Sequence, residues 1–378
     1  MRPLSIYIHI PFCPKKCLYC DFTSFSGSGH LFTEYTEALL NEIKVSSPEY
    51  AGCEVKTIFF GGGTPTLMPA VLLGRIMDGI FKAFKVSGGC EVTFESNPET
   101  MDIQKAKELA LMGANRLSFG VQAFQDRLLR TLGRVHTVRG FMEAYEAAIN
   151  AGFSNINADL MFSLPGQSLK DWEESLERAA ALSISHISCY GLIIEEGTPF
   201  YSMRERGEIK ETDEDTDRQM YYMAEDILSQ NGFRRYEISN FCKKGFECRH
   251  NIVYWQCGEY AGFGTAAHSY FDGVRFSNTQ NLNEYIRHRG GPYAIRENNE
   301  RLTKENKISE FMFMGLRLKH GIDVNMFEEK FKTDIYSVYK DVIPPLVFEG
   351  LLEEDGKNLF LTKKGTDISN YVFEKFVL

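Results

Sequence analysis

The sequence lacks any apolar run approaching the ~18 residues that a membrane-spanning helix requires. It also lacks a basic surplus: 42 Lys and Arg stand against 51 Asp and Glu, a net charge of −9. The first absence excludes an integral helical membrane segment. The second argues against generic binding to nucleic acid or to an anionic membrane surface. Cysteine is sparse, nine in 378 residues, too dilute for a secreted disulfide scaffold. No fixed-period repeat, low-complexity tract or signal-peptide pattern is present. The expectation is a soluble, cytoplasmic protein with reduced thiols. Disorder is excluded by 29 Phe and 18 Tyr, which need a core to pack in. The length allows two or three domains.

What is present first is alternation. Short β-rich runs at residues 4–9, 57–60, 91–95, 116–121, 155–161 and 186–193 are separated by helical patterns at 32–45, 68–84, 103–112, 139–151 and 169–182, with a shorter helix at 124–132. Such alternation implies parallel strands and right-handed crossovers. Six units are two short of a closed eight-stranded barrel, so the expected fold is α/β, a partial (β/α)6 TIM-like barrel over residues 1–200. Residues 201–300 read as connecting helices, at 211–217 and 220–228, and an aromatic-rich loop region. Residues 301–378 read as helices followed by a hairpin around Asp355-Gly356 and a last helix at 365–376, a winged-helix-like α+β domain.

In barrels of this kind chemistry sits at the C-terminal strand ends. Cys13 follows the first strand, Gly61-Gly-Gly-Thr-Pro65 the second, and Glu95-Ser-Asn-Pro98 closes the third. Gln122 closes the fourth, and Asp159 sits late in the fifth. Core packing alone does not predict polar or glycine-rich features at the same end of successive strands.

The sharpest motif is Cys13-Pro-Lys-Lys-Cys17-Leu-Tyr-Cys20. A structural zinc site wants four closed ligands, usually from two separated pairs, and here no second CxxC occurs and Phe22 stands where a nearby fourth ligand could be. Three thiolates with one open position suit a cubane iron–sulfur cluster; zinc remains the alternative. Lys15 and Lys16 either favour thiolates or are simply solvated.

This CxxxCxxC loop, in the setting Tyr7-Ile-His-Ile-Pro-Phe-Cys13, resembles the signature of radical S-adenosylmethionine (SAM) enzymes. The resemblance implies a [4Fe–4S] cluster on Cys13, Cys17 and Cys20, whose fourth iron is chelated by SAM, and one-electron cleavage of SAM to a 5′-deoxyadenosyl radical. Gly61-Gly-Gly-Thr-Pro-Thr66, Ser118-Phe-Gly-Val-Gln122 and Ala158-Asp159-Leu-Met-Phe-Ser-Leu-Pro-Gly-Gln167 resemble the oxygen-independent coproporphyrinogen III oxidase group within that superfamily. Motif position then implies SAM contacts at Tyr7, Tyr19, Gly62, Gly63, Thr64, Glu95, Gln122, Arg134, Asp159, Leu192 and His268.

Within that group, true porphyrinogen decarboxylases carry a fourth cysteine just after the third and a longer N-terminal arm. Phe22 and the 12 residues before Cys13 instead resemble the HemW-type haem chaperones. So does His250-Asn-Ile-Val-Tyr254-Trp255, similar to the HNxxYW motif of that branch, which implies haem binding at His250, Tyr254 and Trp255. Cys248 and Cys257 flank it as further thiols. The function implied is a radical SAM protein that binds haem or porphyrin and passes haem to a haem-requiring acceptor. A flavodoxin or ferredoxin is implied as the low-potential electron donor. Coproporphyrinogen III oxidation, or a radical methyltransferase or haem-degrading reaction, is the alternative. No C-x-x-C-H is present for c-type attachment.

Two other patterns are set aside. Gly262-Phe-Gly264-Thr-Ala-Ala267 fits G-x-G-x-x-A but lacks the helix that a dinucleotide site needs. The expected wing carries Glu353, Glu354 and Asp355, which would repel a phosphate backbone.

Overall fold

The computed structural model describes residues 1–378 and contains the expected crossovers. Strands β1 (Arg2–Ile10), β2 (Cys53–Gly62), β3 (Val86–Ser96), β4 (Arg116–Gln122), β5 (Ile156–Phe162) and β6 (His186–Gly191) pair in that order, each parallel to the next. Helices α1 (Phe32–Ser46), α2 (Ala70–Ala83), α3 (Ile103–Leu111), α4 (Asp126–Thr131), α5 (Val138–Asn150) and α6 (Leu169–Ala180) lie in the crossovers. Their starts follow side-chain caps: Asp102 for α3, Thr137 for α5, and a Ser168–Asp171 capping box for α6.

The sheet is wider than six strands. Beyond β6 lie β8 (Asn240–Cys242) and then β7 (Arg234–Arg235), both antiparallel to their neighbours. On the other side β9 (Tyr260–Phe263) runs parallel to β1, and β10 (His268–Phe271), β11 (Val274–Asn278) and β12 (Arg296–Arg301) continue antiparallel, making twelve strands. Residues between 201 and 300 therefore extend the barrel's own sheet. One apolar core runs from Leu4 to Ile295, and a second, from Ile308 to Phe376, belongs to the C-terminal helices and hairpin.

Strand side chains alternate between faces, and the two faces differ sharply in polarity. Ile6, Ile8, Ile58, Phe60, Val92, Phe94, Leu117 and Phe119 are buried in the apolar core. The opposite face carries Ser5, Tyr7, Thr57, Glu91, Thr93, Glu95, Arg116, Ser118, Asn157, Asp159, His186 and Ser188, which line the barrel's lumen. Hydrogen bonds satisfy much of it: Thr57 donates to Ser5 at 2.7 Å, Asn157 to Ser118 at 2.7 Å, and the His186 Nδ1 lies 2.6 Å from Asn157 Oδ1. A closed barrel fills this space with layers of branched aliphatics; here the inside is built for polar contacts.

Three local expectations change. The two helical stretches at 211–217 and 220–228 are a single helix, α8 (Glu214–Gln230), which follows α7 (Pro199–Glu205) and is capped by Asp213. The final helix is two, Lys363–Asp367 and Ser369–Glu374, interrupted at Ile368. The HNxxYW segment, read as a loop, is a helix, α9 (Arg249–Trp255). Its N-cap residue, Cys248, makes no side-chain cap. Its first amides are instead satisfied by Glu91 of β3, which accepts from Arg249 and His250 at 3.1 Å each. A cap supplied from 158 residues away leaves no local signal.

The C-terminal hairpin pairs Leu352–Glu354 with Asn358–Leu361 around Gly356, at φ +82°, and adds Ile322–Asp323 as a third strand. No helix of the structure is long and apolar enough to cross a membrane.

Candidate functional site

The site grows from the end of β1. Phe12 and Cys13 form a short parallel bridge with Phe25 and Ser26, so residues 14–24 make a closed loop. Its base is fixed by Phe25 N–H donating to the Pro11 carbonyl at 2.7 Å and by His9 Nε2, 2.9 Å from the Thr23 carbonyl. Its tip is fixed by Leu18, whose N–H donates to Leu132 O at 3.0 Å and whose carbonyl accepts from Phe200 at 2.9 Å. The turn after β2 closes against it: Gly63 N–H donates to Ile10 O at 2.8 Å and Thr64 N–H to Phe12 O at 2.7 Å.

This scaffold brings Cys13, Cys17 and Cys20 onto one cleft of about 140 Å³ with Tyr19, Gly62, Gly63, Glu95, Gln122, Arg134 and Asp159. Burial pushes the Cys13 and Cys20 thiols up. A hydrogen-bonded chain links two of the sulfurs. The Arg134 guanidinium donates to Cys17 Sγ at 3.5 Å, to Gly120 O at 2.5 Å and to Asn97 Oδ1 at 2.7 Å. Asn97 donates to Thr64 Oγ1 at 2.8 Å, leaving the Thr64 hydroxyl proton for Cys13 Sγ, 3.6 Å away. Asn97 was not singled out from the sequence, although it sits in the quoted Glu95–Pro98 stretch; its role depends on three elements meeting.

The donor set fits a cubane cluster. Three cysteines of one loop face one cleft and supply three thiolates, not a closed set of four. A tetrahedral zinc with Zn–S bonds of about 2.3 Å would draw its thiolates together, whereas a cubane spreads three thiolates over three irons. The cation Arg134 lies beside the sulfurs, as a site of net negative charge demands.

Two buried carboxylates close the floor. Glu95 accepts the Gly62 N–H at 3.2 Å, and burial, reinforced by the negative charge of Asp159, raises its carboxyl to about 8. Asp159 accepts from Asn157 at 2.8 Å and Ser118 at 3.2 Å; burial raises it too. Gln122, at the end of β4, is held at φ +66°, a backbone conformation unusual outside glycine, beside Arg134 and Gly120.

A second cleft of about 430 Å³ shares Phe22, Gly62 and Glu95 with the first and adds Tyr7, His9, Asp21, Thr23, Tyr254, Tyr260, Ala266 and His268. Phe22 stands at this junction with 65% of its surface exposed. Tyr7 is held by its hydroxyl, 3.1 Å from His9 Nδ1.

The remaining sequence candidates lie elsewhere. Leu192 packs with Leu18, Tyr19 and Phe200 to one side of the cleft. His250 is buried in the lumen under Tyr7 and Phe59. Its Nδ1 lies 2.7 Å from Thr57 Oγ1, and because the Thr57 proton goes to Ser5, Nδ1–H is the donor. Nε2 then accepts from the Tyr254 hydroxyl at 2.9 Å. Burial, with Arg116 nearby, lowers the imidazole to about 3, so it is neutral. Trp255 faces the C-terminal core, under the guanidinium of Arg317. Cys248 is buried beside Glu91, and Cys257 lines a third cavity with Tyr254, Tyr260 and Tyr270. Gly262-Phe-Gly264 ends β9 and leads to β10 with no helix between.

The radical SAM superfamily model matches residues 7–179, and the HemN C-terminal domain model matches residues 302–368. The chain is 38% identical to the heme chaperone HemW of Lactococcus lactis over 377 residues, 100% of this chain and 98% of that protein. To the heme chaperone HemW of Bacillus subtilis it is 38% identical, covering 99% of each. Among solved structures, coproporphyrinogen III oxidase (HemN) from Escherichia coli superposes with a TM-score of 0.87 at 24% identity, over 100% of this chain and 90% of that one. That likeness is one of fold.

Proposed function

The chain belongs to the HemW family of radical SAM proteins, and from that premise we propose that it binds haem beside a SAM-chelated [4Fe–4S] cluster and delivers it to a haem-requiring acceptor protein. The observation that carries this reading is the pair of joined clefts, one walled by Cys13, Cys17 and Cys20 and the other by aromatic rings, with exposed Phe22 between them.

Cys13, Cys17 and Cys20 hold the cluster. Bound together, cluster and SAM supply one-electron chemistry at the sulfonium. The chain's own residues position the SAM: the Gly62–Gly63 backbone lets it approach, Glu95 and Asp159 face hydroxyl groups, and Tyr7, Tyr19, Thr64, Gln122 and Arg134 complete the walls. Leu192 is the outlying member of this set, and His268 faces the aromatic cleft instead. His250 acts as a positioning residue, fixing the Tyr254 ring at the wall of the aromatic cleft through its Nε2. A low-potential flavodoxin or ferredoxin supplies the electron. Phe22, in place of a fourth cysteine, weighs against coproporphyrinogen oxidation.

Anaerobic reconstitution followed by iron and sulfide analysis tests the cluster, with loss of iron expected in Cys17→Ser. Haem titration, and product analysis with SAM, haem and coproporphyrinogen side by side, test the rest. Protoporphyrinogen formation without haem binding would overturn the proposal.

A further inference from the structure

The aromatic cleft has two imidazoles on its wall, and they differ in one respect that matters to a metal. The His9 ring is engaged at both nitrogens, by the Tyr7 hydroxyl at 3.1 Å and the Thr23 carbonyl at 2.9 Å. His268, the first residue of β10, is exposed, and no hydrogen-bond partner holds its ring. Partial burial and the nearby Arg275 lower its pKa, which keeps the imidazole in the neutral form that binds metal. His250 offers the opposite case: it is sealed in the lumen, with Thr57 on Nδ1 and Tyr254 on Nε2.

The walls around His268 suit a flat apolar ligand. Tyr7, Phe22, Tyr254 and Tyr260 supply rings, and the volume of about 430 Å³ lies within the ~300–1,000 Å³ range of ligand cavities. Asp21 on the same wall disfavours bringing carboxylates inside. A macrocycle with acidic side arms would thus enter by its apolar edge and leave those arms toward solvent. Two cations adjoin the cleft: Arg275, through Tyr260 in the next cavity, and Lys16, whose ammonium donates to the Phe22 carbonyl at 3.0 Å.

Resting on the haem-binding reading above, we propose that His268 is the protein's axial ligand to the haem iron and that the cleft of Tyr7, Phe22, Tyr254 and Tyr260 holds the macrocycle. The cleft opens directly onto the cluster cavity through Gly62 and Glu95, so the cargo lies next to the redox centre. Release to an acceptor requires breaking one iron–imidazole bond at an exposed side chain, with no rearrangement of the barrel.

The test is titration of haem into the full-length reconstituted protein, His268→Ala and His250→Asn, read by Soret absorption and by electron paramagnetic resonance, with circular dichroism as the fold control. His268 is exposed and makes no hydrogen bond, so its truncation leaves the fold intact. The expected result is that His268→Ala loses the histidine-ligated spectrum and about tenfold or more in affinity, that added imidazole restores the spectrum, and that His250→Asn keeps the wild-type ligand signature. A wild-type spectrum in His268→Ala, or loss of the signature in His250→Asn alone, overturns the His268 assignment while leaving haem binding standing. Failure of the wild type to bind haem overturns the functional reading itself.

Discussion

Arg134 donates to the sulfur of Cys17 at 3.5 Å while its other terminal nitrogen is shared between Asn97 and the Gly120 carbonyl. The guanidinium is thus fixed from two strand ends and cannot follow the sulfur if the loop moves. Positive charge and hydrogen bonding at a cluster thiolate stabilise the reduced, more negative state. Arg134→Ala is expected to lower the reduction potential by on the order of 50 mV, the equivalent of ~1 kcal/mol for a one-electron couple, while iron content stays close to wild type. A redox titration monitored by electron paramagnetic resonance measures it; an unchanged potential would mean that Arg134 serves only the loop.

Much of this arrangement could be read from the sequence because it is local. Short runs rich in Ile, Val, Phe and Tyr located the six barrel strands, and glycines or carboxylates at 61–63, 95 and 159 marked their C-terminal ends. Asn97 and Glu91 escaped notice for a shared reason: each works on residues far along the chain. Asn97 joins Arg134 to Thr64, and Glu91 caps α9 from β3. The polar lumen explains the misreading of residues 249–255 as a loop. Its His and Tyr pair with Thr57 and with each other inside the barrel, a burial that the composition of a seven-residue stretch does not announce.

Glu95 ties stability to pH. Its carboxyl holds a proton up to about 8 in the folded protein, against an ordinary value of 4.5, because it is buried and faces Asp159. Between these two values the folded state binds more protons than the unfolded state, so this group's contribution falls as pH rises from about 4.5 through 8. Glu95→Gln keeps an acceptor for Gly62 and removes the titration. In the cluster-free protein the variant should gain on wild type steadily over that window, by on the order of 2–4 kcal/mol at pH 8. Denaturant midpoints at pH 5.5, 7 and 8 decide it; a pH-independent difference between the two proteins would contradict the assignment.

Glu91→Ala should act at a distance. The substitution strips the acceptor from the N–H groups of Arg249 and His250, both held at 3.1 Å, inside a helix too short to persist alone. Buried donors left unpaired cost about 1–3 kcal/mol each, and α9 carries Tyr254 to the wall of the aromatic cleft. The expected outcome is a loss of about 2–4 kcal/mol in unfolding free energy together with weaker haem binding, whereas Glu91→Gln retains much of both. Hydrogen exchange should report faster opening at 249–255 than at β1 or β2.

The turn after β2 sets the last and most local requirement. A methyl group on Gly63 would lie 2.6 Å from the Phe12 carbonyl and 3.0 Å from that of Ile10. Both are main-chain atoms, and both are pinned there by the amides of Gly63 and Thr64. On Gly61 the same methyl meets only side-chain atoms of Glu95, Phe59 and Tyr7 at 3.0–3.1 Å, which can yield. On Gly88 it meets nothing within 4 Å. Gly63→Ala must therefore push Phe12 away and, with it, Cys13, the next residue and first cluster ligand. Its cost of about 1–3 kcal/mol should appear as lower iron retention after reconstitution as well as lower Tm. Gly61→Ala should show a smaller Tm loss with iron content kept, and Gly88→Ala should leave both unchanged. Equal iron retention in Gly63→Ala and Gly88→Ala would show that the turn does not position the cysteine loop.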